Sequence, residues 1–304
     1  MISIIIPAFN EAENILPLYE RLVKTLKQNR ITYEIIFIDD GSNDKTSIEI
    51  EKLNKIDRQV KLISFSRNYG KSAAMQQGFE TAKGEILITM DADLQDIPEE
   101  IPNFLRAIKY YDLVVGWRYK RKDRITKRIA SLIFNKLGVF ITGLSIHDAN
   151  CGFKAMKKHV AKSIDLYGEL HRYLPTIAYL KGFKVGEIKI QHAERLYGTS
   201  KYGISRMWRG FFDLLSVKFL GSFSRKPFHF FGGVGLISLI TGSVIGGWLL
   251  ALWLLTGTIG GHTPAAILSM LLIILGVQLI SLGLLAEMIA SIKGRETQNI
   301  KRKI

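Results

Sequence analysis

The chain is poor in cysteine, in acid and in any mark of a cleaved leader. Cys151 is the only cysteine among 304 residues, so no intrachain disulfide can form and the composition fits a reducing compartment. Acidic residues number 27 against 42 Lys and Arg, leaving a formal charge of +15. That surplus points to an anionic partner: nucleic acid, anionic lipid or a phosphorylated substrate. No basic segment precedes the first apolar run, so no cleavable signal peptide is expected. The six histidines show no metal-ligand spacing. Gly232-Gly233-Val234-Gly235 is glycine-rich but is no dinucleotide fingerprint; it lies in an apolar run, where small residues let helices pack closely.

Charge is also missing locally. Residues 228–255 and 265–286 contain no Lys, Arg, Asp or Glu, and each run exceeds the roughly 20 apolar residues that cross a bilayer core. Two buried helices of a soluble protein are the alternative. The connecting segment, residues 257–264, lacks Lys and Arg, whereas Arg225 and Lys226 precede the first run and Lys293, Arg295, Lys301, Arg302 and Lys303 follow the second. The positive-inside rule then puts both termini and the large N-terminal part in the cytoplasm, in a multi-pass protein of the cytoplasmic (inner) membrane. Glu287 falls near the end of the second run, at a depth where an acid reaches the headgroups. We expect a catalytic domain over residues 1–220 and a two-helix anchor with a basic cytoplasmic tail over residues 221–304.

The first part reads as alternating strand and helix. Apolar, β-branched runs at 3–7, 34–38, 60–65, 85–90 and 112–116 predict strands. Helical periodicity marks 13–29, 46–55, 71–82 and 98–110, with Ile15, Leu18, Leu22, Val23 and Leu26 sharing one face of the first. Alternation of this kind implies an α/β domain with a mostly parallel, Rossmann-like sheet. Ligands of such sheets bind beyond the carboxyl ends of the strands, which here carry residues 7–11, 39–40 and 91–95.

Those strand ends are acidic. Asp91-Ala92-Asp93-Leu94-Gln95 places two carboxylates one residue apart, just off a strand, with the Gln95 oxygen two residues on. Such a group suits a hard cation, Mg2+ or Mn2+, bridged to phosphates; read alone, a solvated turn is the simpler reading, and it is the strand end beside two other acidic strand ends that favours the cation. Asp39-Asp40-Gly41-Ser42 can accept hydrogen bonds from a base or ribose, or cap the helix starting near Thr46.

Residues Ile4 to Glu11 (IIIPAFNE), Asp39-Asp40-Gly41-Ser42 and Asp91-Ala92-Asp93-Leu94-Gln95 resemble, in order and spacing, the family 2 glycosyltransferases of the GT-A fold. Within that family the chain is similar to the polyprenyl-phosphate glycosyltransferases, the group that includes dolichol-phosphate mannose synthase and bacterial undecaprenyl-phosphate glucosyltransferases. Further matching segments are Ser66-Arg67-Asn68-Tyr69-Gly70-Lys71, Gly116-Trp117-Arg118, Asn150-Cys151-Gly152-Phe153-Lys154 and the stretch from Arg195 to Tyr202. The resemblance covers roughly residues 1–220. It implies that Pro7, Phe9, Glu11, Ile38 and Asp40 hold the nucleoside, and that Asp91, Ala92, Asp93 and Gln95 hold metal and diphosphate. Arg118, Arg195 and Lys201 would meet phosphates of donor or acceptor, and Asp148 stands at the place of an acceptor-side aspartate.

The expected reaction is metal-dependent, inverting transfer of a single hexose from a nucleotide sugar to a polyprenyl phosphate. A metal on Asp93 would neutralise the leaving diphosphate, with Arg195 and Lys201 adding charge. The acceptor phosphate is already anionic, so Asp148 would orient it or a positive neighbour rather than serve as a base. UDP-glucose is the first donor to expect and GDP-mannose the next. A processive polysaccharide synthase is a related alternative, but its usual Gln-x-x-Arg-Trp motif is absent. A silent nucleotide-sugar-binding partner of a membrane complex is another, opposed by the intact Asp91 and Asp93. Basic residues from Arg118 to Arg128 followed by an apolar helical pattern at 129–143, and a second apolar face at 205–220, read as amphipathic helices on anionic membrane lipid; ordinary packed helices are the alternative. No nucleic-acid fold signature accompanies the charge, so no nucleic acid is expected. A homo-oligomer would suit so short an anchor. His171 and Arg172 face either the acceptor site or the core, and Cys151 reads as a small packing residue.

Overall fold

The computed structural model describes residues 1–119, 143–191, 193 and 227–293. The chain divides into two compact units, Met1–Lys218 and Phe219–Ile304. The expected interfacial helices at 129–143 and 205–220 and the flanking basic segments lie largely or wholly outside the described residues.

In the first unit the strands are β1 (Ile2–Ala8), β2 (Tyr33–Asp39), β3 (Val60–Ser64), β4 (Ile86–Thr89), β5 (Leu113–Arg118), β6 (Lys154–Lys157) and β7 (Val185–Ile190). They form a seven-stranded sheet in the order β3-β2-β1-β4-β6-β5-β7. All pairings are parallel except those of β6, which runs antiparallel between β4 and β5. The helices are α1 (Ala12–Gln28), α2 (Thr46–Ile56), α3 (Lys71–Thr81), α4 (Ile101–Ala107), α5 (Lys158–Lys162) and α6 (Leu174–Leu180). The mostly parallel α/β sheet matches the expectation from alternation.

The central strands are apolar on both faces because helices cover both. Ile4, Ile5 and Ile6 of β1 and Ile35, Ile36, Phe37 and Ile38 of β2 have no exposed surface, as strands covered on both sides require. On α1, Ile15, Leu18, Leu22 and Leu26 are fully buried while Val23 is only half-buried. The helix expected over 98–110 is instead a 3-10 turn, Pro98–Glu100, followed by the shorter α4. Pro98 and Pro102 explain the break, since neither has an N–H to continue a helix and each fits a first turn.

The second unit contains α7 (Pro227–Thr256) and α8 (Thr263–Lys293), both long and apolar enough to cross a membrane. Large apolar side chains such as Leu255, Ile237 and Ile289 lie exposed on them, unlike the mostly buried core helix of a soluble protein. Small residues let the two backbones approach: a β-carbon on Gly235 would lie 2.8 Å from the Gly276 carbonyl, and Ser269 Oγ donates to the Gly242 carbonyl at 2.8 Å. Glu287 accepts the Phe228 N–H at 3.1 Å, so this acid satisfies an amide in the first turn of α7, which has no partner within its own helix.

Candidate active site

Because β1, β2 and β4 are parallel neighbours, their C-terminal ends open onto one edge. The loop after β2 and the loop after β3 wall a cavity of about 380 Å3, lined by Phe9, Asp39, Ser42, Ser64, Arg67 and Asn68 among others. The two loops touch closely at Gly41, whose φ is +69° and where a β-carbon would press on the Arg67 backbone; only glycine fits there. Asp39 Oδ1 accepts the Ser42 N–H and Oδ2 accepts the Ser64 hydroxyl, both at 3.0 Å.

The neighbouring Asp40 points elsewhere. Its carboxylate accepts the N–H groups of Tyr69 at 2.7 Å and Gly70 at 2.9 Å. Burial, with Asp39 nearby, holds Asp40 above the usual carboxylate range despite those bonds. Asp40 thereby fixes the turn from which α3, and with it Lys71, begins. Neither acid caps α2, whose N-cap position is Lys45; Asp44, just before it, accepts the Thr46 N–H at 2.9 Å. Of the residues expected around the nucleoside, Phe9 lines the cavity, whereas Pro7 and Ile38 pair in the sheet and Ile38 is fully buried. Glu11 accepts the Asn14 amide at 2.5 Å and donates its own N–H to Thr46 Oγ1 at 2.9 Å.

Beyond β4 the chain makes a tight acidic loop. Leu94 takes a left-handed backbone, φ +61°, an uncommon and costly conformation for a residue with a γ-branch. It lies between Asp93 and Gln95, whose N–H donates to Asp93 Oδ1 at 3.2 Å. Asp91 forms an ion pair with Lys71. Asp96, absent from the sequence reading, is buried and accepts the Asp91 N–H at 3.0 Å. Burial, then the charges of Asp91 and Asp93, push its pKa up to about 7. Gly152 leans on this loop so closely that a β-carbon there would lie 2.6 Å from Asp91 Oδ1.

Cations stand behind the acids. Lys154 of β6 is buried and donates to the Cys151 carbonyl; burial and Lys71 lower its pKa to about 8. Burial pushes the Cys151 thiol up to about 12, so it is an inert packing group. Arg118 grips Asp148 with Nε to Oδ2 at 2.6 Å and Nη2 to Oδ1 at 2.9 Å. His171 is paired to Ser72 Oγ at 2.9 Å. Burial, with Lys71 and Arg172 nearby, drives its pKa down to about 2, leaving a neutral imidazole. Arg195 and Lys201 lie outside the described residues.

The donor set fits a divalent cation of a particular kind. Among the described residues no three His, Cys, Asp or Glu side chains gather into a protein-only metal cage. Asp91, Asp93 and the raised Asp96 instead make a patch where like charges crowd, which a cation relieves. Mg2+ binds in this way, through one or two carboxylates with water and phosphate completing the shell.

Comparison with known proteins gives the family and the fold. Residues 3–165 match the family model described as Glycosyl transferase family 2. A dodecaprenyl-phosphate galacturonate synthase of Rhizobium johnstonii is 37% identical over 95% of this chain and 87% of its own length. An undecaprenyl-phosphate 4-deoxy-4-formamido-L-arabinose transferase of Photorhabdus laumondii is 33% identical over 96% and 89%. Among solved structures, mannosyl-3-phosphoglycerate synthase from Rubrobacter xylanophilus superposes with a TM-score of 0.59 at 17% identity, covering 72% of this chain and 74% of that one. Glucosyl-3-phosphoglycerate synthase from Mycobacterium tuberculosis, in complex with Mn2+, UDP-glucose and phosphoglyceric acid, gives 0.54 at 16%, covering 73% and 79%. These two share the GT-A fold with this chain.

Proposed function

The chain belongs to glycosyl transferase family 2 and is a glycosyltransferase, and from that premise we propose that it moves one sugar from a nucleoside diphosphate to a polyprenyl phosphate at the cytoplasmic membrane face. One juxtaposition carries the reading. A nucleoside-sized cavity and a carboxylate-crowded loop share one sheet edge, in a chain whose relatives of similar length are named for polyprenyl-phosphate transfer.

The base sits in the cavity against Phe9, with Asp39 offering acceptor oxygens and Ser64 a hydroxyl. The diphosphate lies along Asp91, Ala92, Asp93 and Gln95. Asp91 and Asp93 would hold a divalent cation, whose charge would offset that of the departing diphosphate. Lys71 keeps the Asp91 carboxylate in place. Arg118 meets the acceptor phosphate, and Asp148 sets the plane of the Arg118 guanidinium through its paired bonds. A phosphate oxygen of the acceptor attacks the anomeric carbon from the face opposite the diphosphate. The anomeric C–O bond breaks, its electron pair leaves with the diphosphate, and the configuration inverts. The acceptor is already an anion, so no base is needed to remove a proton. Arg195 and Lys201 are proposed to add positive charge as the diphosphate departs.

The sugar is proposed to be a uronic acid or a formamido-pentose rather than glucose or mannose. The support is that relatives at 31–37% identity are named for galacturonate and 4-deoxy-4-formamido-L-arabinose. Purified full-length protein with Mg2+ or Mn2+ and undecaprenyl phosphate, offered UDP-linked galacturonate, formamido-arabinose, glucose and GDP-mannose in turn, tests both statements. Transfer from glucose or mannose alone overturns the choice of sugar. Absence of any lipid-linked product from every donor overturns the acceptor. Product NMR showing retained anomeric configuration overturns the inversion.

A further inference from the structure

Two successive residues of β5 are joined to two successive residues of the loop before β6. The rings of Trp117 and His147 stack with centroids 3.9 Å apart and planes 11° from parallel. One residue further along each segment, Arg118 holds Asp148 by its two hydrogen bonds. Successive side chains of a strand point to opposite faces, so the loop is gripped from both sides. Residues 143–150 form no helix or strand. A segment without a backbone ladder keeps its place by its side chains.

His147 is itself tied down. Its backbone N–H donates to Glu187 Oε2 at 2.7 Å, and its Nδ1 lies 2.5 Å from Glu187 Oε1. Glu187 stands on β7 opposite Val115, and Lys189 stands opposite Trp117. The Lys189 ammonium lies 5.1 Å from the Trp117 ring centre and 4.6 Å from that of Tyr119. Yet the His147 side chain is 60% exposed, so its pairing with Glu187 contributes little to stability by itself. What the arrangement does achieve is a fixed backbone immediately before Asp148.

We infer that Trp117, His147 and Glu187 are positioning residues that hold Asp148, and through it the Arg118 guanidinium, in register with the acceptor phosphate. The inference rests on the roles proposed above for Arg118 and Asp148. Mispositioning of a reacting group by about 1 Å costs on the order of a hundredfold in rate, so three residues that touch no substrate can govern turnover.

The test uses the full chain in nanodiscs, with donor saturating and polyprenyl phosphate varied, alongside calorimetric binding of the nucleoside diphosphate with Mn2+. His147→Ala is expected to lower kcat/KM for polyprenyl phosphate roughly ten- to hundredfold, the range for residues that orient a working group from behind. Nucleoside diphosphate affinity stays within about twofold, because the residues lining the nucleoside cavity come from the loops after β1, β2 and β3 rather than from residues 143–150. His147→Phe, which keeps a ring for Trp117, recovers most of the loss. Glu187→Gln, a milder change, gives an intermediate loss and serves if His147→Ala does not fold. In an Asp148→Ala background, His147→Ala adds nothing further. Unchanged kcat/KM in folded His147→Ala and Glu187→Gln overturns the inference, as do losses that multiply with that of Asp148→Ala. If Asp148→Ala alone leaves kcat/KM intact, the proposed role of Asp148 fails instead.

Discussion

At the N-terminal edge of the sheet Glu34 is buried among donors. It accepts from Ser3 Oγ at 2.5 Å, Lys61 Nζ at 2.5 Å and the Lys83 N–H at 2.6 Å. Burial raises its pKa, but the bonds from Lys61 and Ser3 outweigh it and hold Glu34 below the usual range. At the C-terminal edge Asp91, Asp93 and Asp96 crowd one short loop, and Asp96 is pushed up to about 7. The same residue chemistry thus serves opposite ends. Where donors surround one buried acid, it ties strands together; where three acids crowd one loop, their mutual repulsion favours a cation even with Lys71 paired to Asp91.

The sharpest test of this contrast is Asp93→Ala. It should cut sugar transfer by about 10²–10³-fold or more, the scale for removing a group that stabilises developing charge. The melting temperature should not fall, since a like charge is removed; parallel activity and melting measurements check this.

The glycines give a second pair. A β-carbon at Gly152 presses first on the Asp91 carboxylate, whereas one at Gly84 meets the Ser3 backbone N at 2.6 Å. Gly152→Ala should therefore displace Asp91 and cost about 10–100-fold in kcat at little cost in stability. Gly84→Ala should lower the melting temperature while the folded fraction keeps its kcat. Equal effects of the two on kcat would erase the distinction between the edges.

Glu34→Gln should destabilise by about 1–3 kcal/mol at pH 7. The Glu34 carboxyl is held below 4.5 in the fold, so its contribution is complete above pH 4.5 and fades as pH falls through the folded value. Wild type and variant should accordingly converge in acid, which chemical denaturation across pH reads directly. The smallest effect belongs to Asp96→Asn. Wild-type Asp96 binds its proton more tightly folded than unfolded, so stability declines as pH rises from 3.8 towards 7. The metal-free variant should gain about 2–4 °C at pH 8 and less at pH 5, as scanning calorimetry would register.

The parallel half of the fold was legible because its strands are long, apolar and separated by amphipathic helices, and because its chemistry sits in short runs at strand ends. Other features lacked such a signal. Strand β6 has four residues, two of them lysine, and no periodicity can be read from so few. Its antiparallel direction follows from the sheet position it fills, not from its composition. Asp39 and Asp40 are adjacent, and successive strand residues face opposite ways. Only the loop geometry shows that Asp39 lines the cavity while Asp40 holds the α3 turn. Asp96 carries no mark in the sequence that separates it from other loop acids, and its burial shows only in the fold. The ion pair between Lys71 and Asp91 left no mark in spacing, since 20 residues separate the two.

Strand β6 enters the sheet from the edge where β4 and β5 leave it. Its antiparallel course brings Cys151, Gly152 and Lys154 back to the acidic loop. The loop of residues 143–150 can therefore change length or composition while β1, β2 and β4 keep their places. A fold wired in this way can be retuned at one rim by edits to a single stretch of chain, which makes residues 143–150 the natural starting point for redesigning what the enzyme accepts.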